Sequence, residues 1–403
     1  MKNKNTLTII LLGMLTAVVP FSIDMYLPGF TDIAKTYNTQ VSKVALSLSS
    51  FFVGMGIGQL LYGPLLDRFG RKGPLYVGLL IYCLASIGCA FAPSIEMLIG
   101  LRFVQALGGC AATIAATAMV RDLFPPQENA RIFSVLILVL SVSPMLAPTA
   151  GSLLAVCFGW RSIFFVLTIL IVLIMAGSFF YLPESKGVDK TYSLKPSAIL
   201  TSYRNVLRQS YFIVYAFACS LAFAGLFTYI ATSPGIFMQH FGLTQKQYGL
   251  LFAFLASGLI VASQVNTLLL KRFRSEDIVK AAFLSQLVVT AVFLFLILSG
   301  VNTLVTTIAL LFLFLAAAGL IMPNATSLAM KPFDSNAGSA SALLGFIQMG
   351  LGSIITIVIG MLNIQSVLPM VLCMMGSSVV GMLLLLLSGS LFREKRMNEW
   401  AIN

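Results

Sequence analysis

Residues 7–30 read LTIILLGMLTAVVPFSIDMYLPGF. This stretch has the roughly 20 apolar residues that a helix needs to cross about 30 Å of hydrocarbon. Backbone groups cannot hydrogen-bond to lipid, and the strand-like alternation of a barrel is absent, so a helix is the expected form. One residue breaks the apolar run: Asp24. A charge at such a depth costs at least about 2.5–3.5 kcal/mol on insertion scales and is normally turned inward and functional. The preceding Lys2 and Lys4 give the segment the look of a leader peptide. Its apolar part is too long for one, lacks a small-residue cleavage site and carries Asp24, so it is expected to stay as the first span.

Similar apolar stretches follow at 42–65, 74–92, 96–120, 131–156 and 162–182, then at 210–236, 247–270, 280–299, 303–328, 338–362 and 367–391. With 59% hydrophobic and 9% charged residues in 403, the chain is expected to be an all-α integral membrane protein of 12 transmembrane helices. The polar stretch 183–209 divides six spans from six. Three parts are therefore expected: an N-terminal six-helix half (1–182), a linker with a possible surface helix (183–209), and a C-terminal six-helix half with a short tail (210–403). The halves echo each other in Leu65–Phe69 and Leu269–Phe273, and in Asn129-Ala130 and Asn336-Ala337. Duplicated halves around a midplane site suit a transporter that rocks about a central cavity.

Charge placement gives the orientation. With both termini in the cytoplasm, 20 of the 25 Lys and Arg fall in the N-terminal tail, the inner loops and the C-terminal tail, against four in outer loops and the buried Arg102. The net charge of +12 is thus accounted for by the inner-leaflet bias and attraction to anionic lipid, without nucleic acid. Six scattered cysteines read as small hydrophobes, and a single histidine (His240, at an interface) excludes the usual metal clusters. No GxxxxGK[ST] stretch is present. No metal or cofactor is expected. A membrane-embedded enzyme would need a nucleophile–base set that one buried acid cannot supply.

Arg102 is the second ion within the spans. Counting inward from Glu96 puts it about 9 Å deep, and counting outward from Thr6 puts Asp24 about 27 Å from the inner surface. The depths match, so an ion pair or water-bridged pair coupling proton movement to cargo is expected between them. Arg102, Gln105 and Gly109 share one helix face.

Five stretches carry a family resemblance. Gly63-Pro64-Leu65-Leu66-Asp67-Arg68-Phe69-Gly70-Arg71-Lys72 resembles the major facilitator superfamily signature, G-x-L-x-D-R-x-G-R-K, with Pro64 preceding Leu65. Leu101–Gly109 is similar to the family's R-x-x-Q-G motif. Ser143–Ser152, with Pro144, Ala147, Pro148 and Gly151, resembles the antiporter motif that marks exporters, though Ser143, Ala147 and Ser152 stand where glycines are usual. Asp24-Met25-Tyr26-Leu27-Pro28 and Asn336–Leu343 look like stretches of the bicyclomycin- and chloramphenicol-resistance group of drug:proton antiporters.

The resemblance implies alternating access in a bacterial cytoplasmic membrane. Asp67 would dock at the start of the eleventh span, with Arg71, Arg121 and Arg131 completing the latch beside Arg68, Gly70 and Lys72. The cavity would be lined by Phe21, Tyr26, Gln105, Tyr215, Phe223, Phe227, Asn324, Phe346 and Gln348, whose aromatic and amide character suits varied apolar cargo. With Asp24 opposed by Arg102, uncharged or zwitterionic cargo is expected, or a monovalent lipophilic cation that displaces the Arg102 contact. The function so implied is proton-coupled export of small amphipathic drugs or metabolites by a monomer among membrane lipids. A dedicated amino acid, siderophore or sugar transporter on the same fold is the alternative.

Overall fold

The computed structural model describes residues 2–189, 194–333, 337–361 and 366–401, with side chains described for all of these except 2–5, 126, 127, 129–131, 134, 141, 198 and 389–401. Every regular element among the described residues is helical. The first part of the chain forms α1 (Lys2–Asp24), α2 (Phe30–Thr36), α3 (Val41–Phe69), α4 (Lys72–Phe91), α5 (Ile95–Leu123), α6 (Pro126–Phe158) and α7 (Arg161–Tyr181). After the short α8 (Pro196–Leu207) come α9 (Ser210–Pro234), α10 (Gln245–Leu269), α11 (Ser275–Leu298), α12 (Leu304–Met330), α13 (Ala337–Met361) and α14 (Leu368–Ala401). Twelve of the helical stretches are long and apolar enough to span a bilayer.

Two spans change helical form near their ends, each at a proline. The first does not stop near Phe30. It breaks after Asp24, turns through the 3-10 segment Leu27–Gly29 and resumes as α2 to Thr36. Pro28 opens that turn, where its fixed φ is tolerated and its missing N–H costs nothing. The seventh continues beyond Pro234 into a π-helical stretch, Gly235–His240, closed by Phe241 N donating to Ile236 O at 3.0 Å. Such widened turns recur at functional sites.

The chain forms two compact units. The first contains Met1–Ser202, Ile230–Phe254 and Thr356–Gln365, and the second Tyr203–Tyr229, Leu255–Ile355 and Ser366–Asn403. In the first unit α5 is the hub, packed closely against α3 and α4. Gly78 of α4 meets Gly108 of α5, where a Cβ on either would overlap the other helix's backbone. Without a hydrophobic driving force between helices in lipid, such small-residue contact supplies the attraction. In the second unit α11 packs on α12 and α14. There Gln286 is buried, donating to Phe314 O at 3.4 Å and accepting from Ser378 at 3.3 Å, so its amide ties three helices together.

Candidate functional site

The chemistry of the first unit gathers at the break in α1. Asp24 is the last residue of α1, only 4% exposed, and has no hydrogen-bond or ion-pair partner among the described residues. Tyr248 lies within electrostatic reach of it and hydrogen-bonds through its hydroxyl to Ser233 at 2.8 Å.

Arg102 is fully buried, and the expected ion pair with Asp24 does not form. One terminal nitrogen donates to Gln105 Oε1 at 2.5 Å and the other to the carbonyl of Ser22 at 2.9 Å. The guanidinium carbon lies 4.3 Å from the ring centre of Phe51 and 4.6 Å from that of Tyr26. Desolvated contacts of this kind are worth about 2 kcal/mol each. Helix geometry explains the divergence. Side chains two apart on a helix do not face each other, so the Ser22 side chain and that of Asp24 leave α1 in different directions. The Ser22 hydroxyl pairs with Tyr82, and Gln105, which accepts from Arg102, donates through Nε2 to Ser86 on the same helix as Tyr82. Arg102 therefore caps the last turn of α1, where a cation satisfies exposed carbonyls.

Two residues expected to line the cavity belong to this sealed cluster instead. Tyr26 is fully buried, hydrogen-bonded to Ser47 at 2.8 Å and packed on Phe30 and Phe164. Gln105 is fully buried and is taken up by Arg102 and Ser86. Phe21 is half-buried. The proline- and glycine-bearing stretch of α6 holds the break in place. Ala147 and Pro148 are buried, and a Cβ on Gly151 would run into the backbone of Met25, just past Asp24. On its other side the same stretch receives Gly249 of α10 against Ser152 and the Pro148 carbonyl. Pro144, half-buried, lies one turn earlier.

The loop between α3 and α4 forms a second cluster. Gly70 adopts φ +82°, a conformation that favours glycine. Arg71 binds Asp122 through Nε at 2.7 Å and Asp67 at 3.0 Å, and Lys186 also reaches Asp67 at 3.1 Å. Burial works against the Arg71 charge, but the hydrogen bond and charge of Asp122, then Asp67, outweigh it and hold the guanidinium more firmly protonated than usual. Both carboxylate oxygens of Glu184 accept from backbone N–H groups at the start of α4, Arg71 N at 2.8 Å and Lys72 N at 3.0 Å. Arg68 reaches the Asp189 carbonyl, and Lys72 that of Leu182. Gly63 is half-buried in the last turns of α3.

Arg121 does not complete this latch. It is exposed, and its neighbour Asp122 faces Arg71 instead, the arrangement that opposite charges favour. The side chain of Arg131 lies outside the described residues, as do Asp334, Ser335 and Asn336, which lead into the eleventh span, at whose start Asp67 was expected to dock. Asp122, Glu184 and Lys186 were missed from sequence. The acid among them nearest a helix start, Glu184, follows Leu182-Pro183, and that proline next to a span end was the available signal.

In the second unit the buried polar groups among the described residues are all neutral. Asn324 donates to Asn266 Oδ1 at 2.6 Å, and Gln348 Nε2 lies 3.2 Å from the buried Cys219 sulfur, which also meets Thr326 at 3.3 Å. The rings of Phe223 and Phe227 lie 5.7 Å apart at a tilt of 46°, with Phe223 half-buried, and Phe346 is exposed. Tyr215 packs on Tyr211, which donates to Glu276 at 2.9 Å, so it stands beside the charged start of α11.

A family model described as the Major Facilitator Superfamily matches residues 12–357. The chain belongs to the major facilitator superfamily. This superfamily member is a multi-pass membrane transporter of small substrates rather than an enzyme. It is 33% identical over 382 residues to a protein of Bacillus subtilis described as an uncharacterized MFS-type transporter, YdgK, with 93% of each chain covered. It is 29% identical to the bicyclomycin resistance protein homolog of Haemophilus influenzae, over 94% of this chain and 95% of that one. The crystal structure of a D-xylose–proton symporter superposes with a TM-score of 0.71 at 15% identity, covering 94% of this chain and 96% of that one, a likeness of fold.

Proposed function

We propose that this transporter exports small amphipathic compounds in exchange for protons, with Asp24 as the proton carrier and both termini on the cytoplasmic side of a bacterial inner membrane. The observation that carries this reading is the solitary carboxyl of Asp24 at the broken turn of α1. A buried carboxyl without a counter-ion is costly as an anion, and taking up a proton relieves that cost. It lies where α1, α6 and α10 meet, so a shift of any one changes its surroundings. The similarity to a bicyclomycin resistance protein homolog and the antiporter-like stretch of α6 support outward drug transport.

Arg102 enters this mechanism as the group that fixes the end of α1, not as the partner of Asp24. Its withdrawal also leaves a cationic cargo no contact to displace. A deprotonated Asp24 without an opposing guanidinium accepts a monovalent amphipathic cation as well as neutral compounds. Within the second unit, Phe223 and Phe346 offer uncovered apolar surface and the uncharged amide of Gln348 an orienting group, whereas Phe227 and Asn324 are buried.

The test is transport by purified protein in vesicles with an imposed pH gradient, using labelled chloramphenicol, bicyclomycin and tetraphenylphosphonium. Gradient-driven movement by the natural protein and its loss in Asp24→Asn are expected. Transport by Asp24→Asn that still follows the gradient removes the aspartate from the mechanism. Movement indifferent to the gradient in the natural protein removes proton exchange altogether.

A further inference from the structure

The helix between the two sets of spans, α8, carries an exposed stripe that no other part of the described chain covers. Leu200 is 68% exposed and Leu207 41%. Arg204 and Arg208 are exposed and make no ion pair among the described residues. These four follow the i, i+4, i+7, i+8 spacing of one helix face. Val206, on another face, is fully buried, so α8 is seated on the protein by one side and bares the other. The segment 194–209 contains Lys195, Arg204 and Arg208 and no acid.

The neighbouring span fixes the depth of α8. Only Arg208 and Gln209 separate α8 from the span Ser210–His240. That span has 31 residues, roughly 46 Å of helix against about 30 Å of hydrocarbon, so its first turn stands at the level of the headgroups. Tyr211 agrees, since its hydroxyl donates at 2.9 Å to Glu276 in the charged first turn of α11. A helix ending two residues before that point lies in the interface.

We propose that α8 is an interfacial helix whose leucines enter the acyl boundary while Arg204 and Arg208 bind the headgroups of anionic phospholipid. Two apolar anchors flanked by long cationic side chains, in a segment that itself carries no acid, form the pattern that adheres to a negative leaflet. A neutral bilayer satisfies the leucines and leaves the guanidinium groups without their counter-ions. A second protein would have to compete with lipid that is already within reach.

Hydrogen–deuterium exchange over residues 196–209 tests this on the full-length protein in vesicles of phosphatidylcholine alone and of phosphatidylcholine with phosphatidylglycerol. Slower exchange is expected when phosphatidylglycerol is present. Each arginine is expected to contribute about fivefold to surface partition. Arg204→Gln with Arg208→Gln should therefore abolish the dependence on lipid composition, while Leu200→Ser with Leu207→Ser raises exchange in both vesicles. Equal exchange of the natural protein in the two vesicles overturns the proposal, and so does dependence that survives the arginine variant. Equivalent protection by inorganic phosphate added to phosphatidylcholine vesicles also overturns it, because the site would then read phosphate and not a lipid surface. The natural protein's response decides the matter even if a variant fails to fold.

Discussion

Arg102 holds itself in place through geometry that only a planar, five-donor cation provides. Arg102→Lys keeps the charge but cannot reach Gln105 and the Ser22 carbonyl together while stacking between Phe51 and Tyr26. It is expected to lower stability by about 3–5 kcal/mol, the usual effect of stripping a buried ion of its partners. Phe51→Leu should cost a smaller share, about 1–2 kcal/mol beyond lost area. Thermal unfolding in detergent measures both, and an unchanged melting temperature for Arg102→Lys would contradict the capping role. The existence of two buried ions was legible in the sequence, because charge in an apolar run stands out. Their partnership was not. Matching depths say nothing about which side of a helix each group occupies, and the Ser22, Tyr82 and Ser86 hydroxyls that organise the arginine look ordinary in sequence.

At the scale of elements, the break of α1 depends on contact with α6. Gly151→Val places a branched side chain against the Met25 backbone, so α1 must move away at the turn that carries Asp24. Transport is expected to fall sharply while helix content by circular dichroism stays unchanged; normal transport by this variant would mean the contact is dispensable. The loop between α3 and α4 makes a contrasting pair of neighbours. Asp122→Asn removes the charge facing Arg71 and should destabilise by about 1–3 kcal/mol. Arg121→Gln, at an exposed position, should stay within about 0.5 kcal/mol of the natural protein. Urea or thermal titration of the two variants side by side checks the order. The span count was readable from hydropathy, since each helix must be apolar over its whole crossing. The break after Asp24 and the π-helical turn after Pro234 were not, because a proline marks a possible irregularity without saying which way the chain continues.

For the molecule as a whole, the first unit draws in Ile230–Phe254 and Thr356–Gln365 from late in the sequence, beside α1–α7. One visible clasp there is Gln245 Nε2 donating to Asp32 Oδ2 at 2.6 Å, at the rim of a cavity of about 560 Å³ lined by Thr31, Lys35, Asn38, Thr39 and Thr244 among others. Asp32→Ala should loosen this end, so that a thiol placed by Thr39→Cys reacts faster with a polar maleimide than in the natural background. An unaltered rate would show that the clasp bears no part of the closure. Hydropathy could not foresee such a grouping, since it arises from which helix ends meet and not from what each helix contains.

Asp24 is the one buried acid among the described residues, and this sets the electrical character of a turnover in which it carries the proton. If one hydrogen ion returns for each uncharged passenger, every cycle displaces one net positive charge, and voltage contributes about 2.3 kcal/mol per 100 mV. If the passenger is itself a monocation, the exchange is silent and voltage gives it no push. Potassium diffusion potentials set with valinomycin should therefore accelerate chloramphenicol movement and leave the exchange-linked part of tetraphenylphosphonium movement unmoved. Two passengers of one carrier would then run on different batteries.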